Sequence, residues 1–407
     1  MNVEIKYGKG RLNLALSAAM SVDMFEPAQA ERESDLADFE RAFHAAGGDR
    51  LLSGKPLLVV NDGHRSTPTA TVLRWLDQTC PDLLDRAEFL IATGTHDAPT
   101  REHLERIFGE FYQRVADRVN HHLATDPSCM TRVGVDRFGG EVFVNRRLVE
   151  SDNVCLISSV EPHYFAGFTG GRKSIFPGLT DLATIERNHN LANSLEAMPL
   201  RLEGNPVADH LQQMVSLIDT SHMLAVQLVV DAARKIAGVF CGSLEEAFAS
   251  AVELSRRIYS HSVAIPYDAV LCEMVPPLDG NLYQAQKGLE NCQAAVAEGG
   301  SAIVISACSG GIGSSHFYEL ADGWDREANQ SSDGVVRFGS HKLSRVNAMG
   351  RRIDVRLYSQ LEDDTVRHVF YEPLDDIPAY LEQRAQSKES YRLAVVRDAG
   401  HTVMTKQ

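Results

Sequence analysis

The chain has 407 residues, which is too long for one ordinary hydrophobic core, so we expect two domains. An apolar fraction of 44% and a charged fraction of 23% are usual for a globular protein. The formal net charge of −15 argues against binding of nucleic acid or of an anionic membrane, because both attract basic surfaces. A small anionic substrate is not excluded, since it senses only nearby cations.

The cysteines and the first residues indicate a cytoplasmic protein. Seven cysteines are scattered without a C-x-x-C pair, and Cys155 and Cys272 lie in apolar runs that are typical of buried thiols. This usage fits a reducing compartment better than a disulfide scaffold. The first sixteen residues lack the apolar core of a signal peptide, and no apolar run approaches the roughly 20 residues of a membrane helix.

In chain order, the first half alternates strands with helices. Weak alternation and a glycine turn predict a hairpin within residues 1–20. Apolar residues three and four apart predict a helix over residues 29–47. Buried strands are predicted at residues 55–60 and 88–92, each followed by a polar loop and a helix. A short strand at 142–144 and a buried strand at 154–160 follow.

The second half continues this alternation and restarts after a linker at residues 262–266. We expect helices near 205–217 and 244–258, and strands at 222–230, 267–272, 301–307, 353–357 and 393–397. The sequence thus predicts an α/β fold with two α/β domains and an active-site cleft between them. The predicted domains are residues 1–262 and 263–407, with the extreme C-terminus allowed to return to the first domain.

Two polar loops directly follow predicted strands. Asp62 and Arg65 form an Asp-x-x-Arg pattern, which is either a loop salt bridge or a carboxylate-binding site, because a guanidinium matches a carboxylate bidentately. His96 ends the next strand. It is either structural or a general base, since the imidazole pKa lies near neutral pH.

The segment at residues 161–190 holds the densest group of polar residues. Residues 167–174 read Gly-Phe-Thr-Gly-Gly-Arg-Lys-Ser, and Arg172 stands where a P-loop has its second glycine. An NTPase is therefore disfavoured, although glycines with two cations still suit an anion such as a mononucleotide phosphate. Lys173 is either a point of covalent attachment or the partner of an acidic residue. His189 is either a polar residue near the start of a helix or a metal ligand, and without a histidine at metal-ligand spacing the sequence spacing alone does not make a metal site.

The motifs together resemble the nickel-dependent lactate racemase family over most of the chain. The step of ten residues from His163 to Lys173, and of sixteen from Lys173 to His189, matches the family pattern. Five ordered blocks carry the resemblance: Asn61-Asp62-Gly63-His64-Arg65, Gly94-Thr95-His96, Glu161–Gly167 continuing to Gly171-Arg172-Lys173, Asn188-His189-Asn190, and Tyr283-Gln284-Ala285-Gln286-Lys287-Gly288.

This resemblance implies a nickel-pincer nucleotide, a pyridinium mononucleotide whose thio groups hold nickel. Lys173 matches the residue that attaches it covalently, and His189 matches the nickel ligand. His96 and His163 match the catalytic acid/base pair. The remaining matches are cofactor-binding Asp62, Gly170, Gly171, Arg172, Tyr283 and Gln284, and substrate-binding Arg65, Gln284 and Lys287.

The resemblance further implies racemisation or epimerisation of a 2-hydroxy acid by proton-coupled hydride transfer. His64 stands where threonine is usual, and the second domain lacks a tryptophan where the lactate enzymes place one, so we expect a larger or more polar acid than lactate. Alternatives on the same scaffold are a hydroxy-acid lyase or dehydratase and a non-catalytic metallocofactor-binding protein. Cofactor-synthesis proteins are the expected partners.

Overall fold

The computed structural model describes residues 1–337 and 339–407. Its strands are β1 (Asn2–Tyr7), β2 (Gly10–Ala15), β3 (Met20–Phe25), β4 (Leu57–Asn61), β5 (Glu88–Ala92), β6 (Val119–His121), β7 (Met130–Val135), β8 (Glu141–Asn145), β9 (Val154–Ser159), β10 (Pro162–His163), β11 (Gly167–Phe168), β12 (Met223–Val230), β13 (Ile236–Gly242), β14 (Ser260–Val263), β15 (Tyr267–Glu273), β16 (Val296–Ile305), β17 (Trp324–Asp325), β18 (Gln330–Ser331), β19 (Asp354–Tyr358), β20 (Glu372–Pro373), β21 (Tyr391–Val396) and β22 (Val403–Lys406).

The α-helices alternate with these strands along most of the chain. They are α1 (Leu36–Ala45), α2 (Gly48–Leu51), α3 (Thr69–Thr79), α4 (Leu83–Arg86), α5 (Arg101–Phe108), α6 (Tyr112–Val115), α7 (Arg146–Glu150), α8 (Leu182–Asn190), α9 (Pro206–Val215), α10 (Leu244–Tyr259), α11 (Leu282–Cys292), α12 (Ser315–Leu320), α13 (Ser340–Gly350), α14 (Asp363–His368) and α15 (Ile377–Ala385). Among the described residues, none of these helices combines the length and apolarity that crossing a membrane requires.

The chain divides into two compact units, and the fold is α/β as predicted. The central unit comprises Ala28–Leu191 and Arg201–Ile258. The terminal unit comprises Met1–Pro27, Ala192–Leu200 and Tyr259–Gln407 and contains both chain ends.

The central unit is built on a sheet with the strand order β13-β12-β9-β4-β5-β6. Neighbouring strands are parallel except β13, which runs antiparallel to β12. Every residue of β9 and β12 is buried, which is typical of parallel strands that helices cover on both faces. One face packs against α1 and α3 in an apolar core that includes Phe39, Phe43, Leu73, Val60 and Ile157.

The terminal unit has a parallel sheet in the order β20-β19-β16-β15-β21-β3. The hairpin β1–β2 contributes Val3 and Ile5 to a core that they share with Leu271, Ile303 and Leu393. The C-terminal strand β22 pairs in parallel with β14 in the same unit.

Residues 1–27 and the first helix differ from the sequence expectations. The sequence assigns residues 1–27 to the N-terminal domain, whereas β3, which was not predicted, adds to β21 in the terminal unit. The predicted helix over 29–47 begins only at Leu36. Asp35 caps it by accepting a hydrogen bond from Asp38 N, while the Asp38 side chain bonds back to Asp35.

Candidate active site

The candidate site lies where three neighbouring parallel strands of the central unit end. β9, β4 and β5 are adjacent, so the loops that follow them leave the same edge of the sheet. They line an open pocket with about 720 Å³ of empty space, counting its mouth. Among the lining residues are seven predicted site residues: Asp62, Arg65, His96, His163, Gly170, Lys173 and His189.

A buried carboxylate orients the first predicted catalytic histidine. Asp62, which is 6% exposed, lies after β4, and its Oδ2 is 2.5 Å from Nδ1 of His96, which lies after β5. Burial alone raises the pKa of Asp62, but the hydrogen bond and charge of His96, with the charge of Arg65, outweigh it and lower that pKa overall. Nδ1–H of His96 therefore donates to a carboxylate, and Nε2 is left as the basic nitrogen.

Arg65 is the cation of the loop after β4. Its guanidinium lines the pocket, and within residues 1–337 and 339–407 no side-chain hydrogen bond or ion pair holds it. A guanidinium in this state is available for bidentate contact with a carboxylate. The backbone turn that presents it is closed by a hydrogen bond from Arg65 N to Asp62 O at 3.2 Å.

His64 lies beside this pair at the surface. Its ring centroid is 4.5 Å from that of His96 and 4.9 Å from that of His103. Burial lowers the pKa of His64, and the charges of His96 and His103 add to the effect, whereas Asp62 opposes it. His64 thus belongs to a group of imidazoles around one carboxylate.

The glycine-rich loop is held by neutral contacts. The Thr169 hydroxyl accepts from Glu161 N at 2.9 Å and donates to Ser159 O at 3.1 Å. Gln227, in the buried strand β12, accepts from Gly171 N at 2.8 Å. Gly170 has a φ of +73°, and a Cβ there would lie 2.6 Å from Val160 and 2.8 Å from Ser159 O. The backbone therefore approaches the end of β9 more closely than any side chain allows.

Arg172 lies in this loop with its guanidinium buried. The residue is 7% exposed, and its Cζ lies 5.1 Å from the centroid of the Phe248 ring. Its Nε and Nη2 are buried without a hydrogen-bond partner among the described residues. Burial lowers the pKa of Arg172 to about 10, while Asp209 acts in the opposite direction. A buried guanidinium with unsatisfied donors suits an anionic ligand.

His163 and Lys173 face each other at the pocket. His163 Nε2 is 3.3 Å from Lys173 Nζ, and His163 Nδ1 accepts from Ala166 N at 3.2 Å. The hydrogen-bond pattern therefore places the proton of a neutral His163 on Nε2. Lys173 Nζ also lies 5.6 Å from the Phe165 ring centroid.

His189, on α8, also lines the pocket. Its Nδ1 donates to Ile185 O at 2.9 Å within the helix, so Nε2 carries the lone pair. Burial lowers the pKa of His189 to about 3, and the charge of Lys173 adds to the effect. A neutral imidazole whose second nitrogen is held by a backbone carbonyl is the usual state of a metal-ligating histidine.

The remaining predicted residues lie on α11 of the terminal unit. Asn281 caps this helix by accepting from Gln284 N at 3.0 Å, and Gln284 Oε1 is buried without a partner among the described residues. Lys342 Nζ donates to Tyr283 O at 2.7 Å and lies 4.2 Å from the Tyr283 ring centroid. Burial lowers the pKa of Lys342 to about 7, and the charge of Lys287 adds to the effect.

Sequence reasoning missed residues that shape the site from within the fold. Gln227 is the one polar residue in the run Met223–Val230, and a polar side chain in a fully buried strand signals an internal hydrogen bond. The position of Asp62 beside His96, rather than only beside a cofactor, was also not predicted. The contact between Asp62 and His96 depends on the pairing of β4 with β5, which cannot be read from residue spacing along the sequence.

Comparison with known proteins identifies the family. The model of the lactate racemase N-terminal domain matches residues 7–198, and that of the lactate racemase C-terminal domain matches residues 264–338. The chain belongs to the lactate racemase family. Its resemblance to that family in sequence is thereby confirmed.

Two curated relatives in the lactate racemase family carry that name. The lactate racemase of Lactiplantibacillus plantarum is 33% identical over 289 residues, which cover 67% of this chain and 66% of that protein. The match thus spans just under two thirds of that relative's length. The lactate racemase of Thermoanaerobacterium thermosaccharolyticum is 28% identical over 351 residues, which cover 82% of this chain and 79% of that protein.

Solved structures show the same fold for this lactate racemase family member. The lactate racemase apoprotein from Thermoanaerobacterium thermosaccharolyticum superposes with a TM-score of 0.85 at 23% identity, over 99% of this chain and 100% of that one. A crystal structure of a Thermotoga maritima protein superposes with a TM-score of 0.72 at 19% identity, over 93% and 100% of the two chains.

The close backbone approach at Gly170 predicts a stability difference between two glycines of positive φ. A Cβ added at Gly139, which has a φ of +83°, would meet no described atom within 4 Å, whereas a Cβ at Gly170 would meet Val160 and Ser159 O. We expect Gly139→Ala to cost about 1–2 kcal/mol, because only the backbone is strained. Gly170→Ala should cost roughly 1–3 kcal/mol more, because the site is also overpacked.

Urea denaturation of the two variants measures this difference. Equal losses of unfolding free energy would show that the loop backbone does not approach β9 as closely as described.

Proposed function

We propose that this chain is a racemase or epimerase of a 2-hydroxy acid. The observation that supports this most strongly is the pocket that holds a carboxylate-oriented histidine, a second histidine and an arginine that no described side chain pairs. The lactate racemase relatives indicate an isomerase. A carboxylate anchor with two acid/base groups is what inversion at the carbon beside a carboxylate requires.

The residues of the loop fit the nickel-pincer nucleotide that the family resemblance implies. The unsatisfied Nε and Nη2 of Arg172 suit a phosphate, and the glycines leave room for close backbone approach. Lys173 would attach the cofactor, and Nε2 of neutral His189 would bind nickel, for which imidazole is a suitable ligand. When bound, this group would supply the hydride acceptor and donor at the substrate's α-carbon.

Lys173 would react as an uncharged amine. Lys173 must lose a proton before it reacts, and the uncharged Nζ could then accept a hydrogen bond from Nε2–H of His163 over 3.3 Å. An amine lone pair is also what an acylation requires, because an ammonium has no electrons to form the new bond. The local geometry therefore supports the attachment role.

Arg65 would hold the substrate's carboxylate while the keto acid turns to present its other face. The guanidinium presents paired N–H donors to two carboxylate oxygens, which leaves the α-carbon and its hydroxyl free to react. Its place after β4 sets it on the same edge of the sheet as both histidines. Holding the carboxylate throughout also keeps a keto acid from leaving between the two halves of the reaction.

His96 and His163 would move the hydroxyl proton. His96 starts with a basic Nε2, because Nδ1–H is bonded to Asp62, whose carboxylate stabilises the imidazolium that forms. His163 presents Nε2–H to the pocket, and as an imidazolium it would act as the donor. One histidine as the neutral base and the other as the imidazolium would allow either enantiomer to be the substrate, with the roles exchanged for the reverse direction.

We propose a substrate larger or more polar than lactate. The support is His64, whose ring lies 4.5 Å from that of His96, at the position where the family resemblance leads us to expect threonine. An imidazole at this edge adds both a donor and an acceptor near the reacting groups, which suits a polar substituent on the acid.

Racemisation of single enantiomers tests the proposed activity. Cofactor-loaded protein is incubated with one enantiomer each of lactate and of aromatic, dicarboxylic and sugar 2-hydroxy acids, and chiral chromatography follows the opposite enantiomer or the C2 epimer. We expect one class to convert faster than lactate. His96→Asn and Asp62→Asn should each lower kcat by about 10²–10⁴ through loss of the base or of its orientation.

His121→Asn is the matched control, since His121 is exposed at the end of β6 and should leave the rate unchanged. Loss of substrate to an unsaturated or keto product without the opposite configuration would favour a lyase or dehydratase. Full activity of His96→Asn together with His163→Asn would contradict the acid/base assignment.

Intact-mass and metal analysis test the cofactor assignment separately. Protein produced with the cofactor supply should carry a nucleotide-sized adduct that peptide mapping places on Lys173 and that is absent from Lys173→Ala. His189→Ala should keep the adduct and lose nickel, because the covalent anchor and the metal ligand are different side chains. Lys235→Ala, at an exposed turn of the same unit, should keep both. Stoichiometric nickel in His189→Ala would contradict its role.

A further inference from the structure

Three potential metal ligands meet at the candidate pocket of the central unit, and none of them is the predicted nickel ligand His189. Asp62, His64 and His96 each offer one ligand atom, and these atoms all lie within 4.8 Å of one another. Asp62 is buried, whereas both histidines are exposed. His64 has no part in the acid/base scheme above, and its exposed imidazole is accessible to a cation.

The chemistry of the group suits one class of cation. Two imidazoles and a carboxylate are ligands that zinc takes in sites with an open fourth position. Bonds of about 2.0 Å in a tetrahedral arrangement separate neighbouring ligand atoms by roughly 3.3 Å. Asp62 Oδ2 and His96 Nδ1 are now closer than this, at 2.5 Å, so binding of a cation would require a small rotation of the His96 side chain, which is 42% exposed.

We propose that Asp62, His64 and His96 form a binding site for a divalent cation of the zinc class. On binding, the cation replaces the proton on Nδ1 of His96, which is released to solvent, and bonds form to Nδ1, to an imidazole nitrogen of His64 and to the Asp62 carboxylate. This site shares no side chain with His189, the proposed nickel ligand.

Binding of a dication at this site depends on the Asp62 carboxylate, because two cationic side chains lie nearby. Arg65 acts on Asp62, and Arg106, whose guanidinium donates to Gly63 O, acts on His64. Both cations repel a bound dication. Asp62 supplies the only negative charge among the three ligands, so its charge offsets that repulsion.

The consequence for catalysis rests on the proposed function. A cation on Nδ1 of His96 removes the hydrogen bond to Asp62 that makes Nε2 a base. The bound cation therefore acts as an inhibitor that is independent of the nickel site, and the sensitivity to zinc depends on His64.

Zinc titration of the purified apoprotein tests the site without cofactor or substrate. Isothermal titration calorimetry is run on the native chain and on His64→Thr, Asp62→Asn, His189→Ala and His103→Ala. We expect one zinc ion per native chain and unchanged affinity in His189→Ala and in His103→Ala, the matched control from the same cluster. His64→Thr and Asp62→Asn should each weaken binding at least about tenfold, because loss of a group that merely orients a ligand already costs 10–100-fold.

The outcomes separate the cation site from other sites and from the racemase proposal. Native affinity in both His64→Thr and Asp62→Asn, or loss of binding confined to His189→Ala, would overturn the proposal, as would a native chain that binds no zinc. Because the titration needs no turnover, a chain that fails every racemase assay still gives a clear answer. In an active enzyme, zinc should inhibit the native chain at concentrations at which His64→Thr retains its own rate.

Discussion

The parallel alignment of β5, β4 and β9 is the constraint on which the candidate site depends. Val60 of β4 pairs with Ile91 on one side and with Ile157 on the other. The strands therefore end together, and the loops that carry Asp62, His96 and the glycine-rich segment start from one edge. A shift of one residue between β4 and β5 would reverse the side chains of one strand and separate the Asp62–His96 pair, and a shift of β9 would displace the glycine-rich loop from both.

Neutral side chains hold the backbone of the site, whereas its arginine side chains are not needed for that purpose. Thr169 and Gln227 hold the glycine-rich loop with uncharged hydrogen bonds, so the loop does not need Arg172 for its own structure. Arg172 is buried nonetheless, which is costly unless a ligand satisfies its donors. The same separation applies at β4, where Asp62 is engaged with His96 while Arg65 remains available. Both guanidinium groups are thus left available to an anionic ligand.

Much of this arrangement could be predicted because buried parallel strands are continuous apolar runs. The segments that become β4, β5 and β9 are short, apolar and followed by polar loops, so Arg65, His96 and His163 could be placed at strand ends. The strand β3 could not be predicted. Its exposed and buried residues follow no simple alternation, and its partner β21 lies some 370 residues away. Pairings over such distances leave no local signal, and residues 1–27 were assigned to the other domain for that reason.

Contacts between loops also could not be predicted from the sequence. Asp62 was expected to line the cofactor, yet its nearest partner is His96, because β4 and β5 are adjacent. The role of Gln227 depends on β12 lying beside β9, where its side chain reaches Gly171. The family resemblance grouped residues of which seven line one pocket, whereas the hydrogen-bond partners of these residues could be read only from the fold.

The central claim is that the chain inverts a 2-hydroxy acid by moving hydrogen from C2 as a hydride, with His96 and His163 handling only the hydroxyl proton. The most direct measurement is conversion of one enantiomer by the cofactor-loaded protein in D₂O, followed by mass spectrometry and NMR of the product of opposite configuration. The account predicts that this product retains hydrogen at C2, since a hydride held within the site does not exchange with solvent. Deuterium at C2 in each molecule converted would show that a base removes that hydrogen as a proton, and would contradict the account.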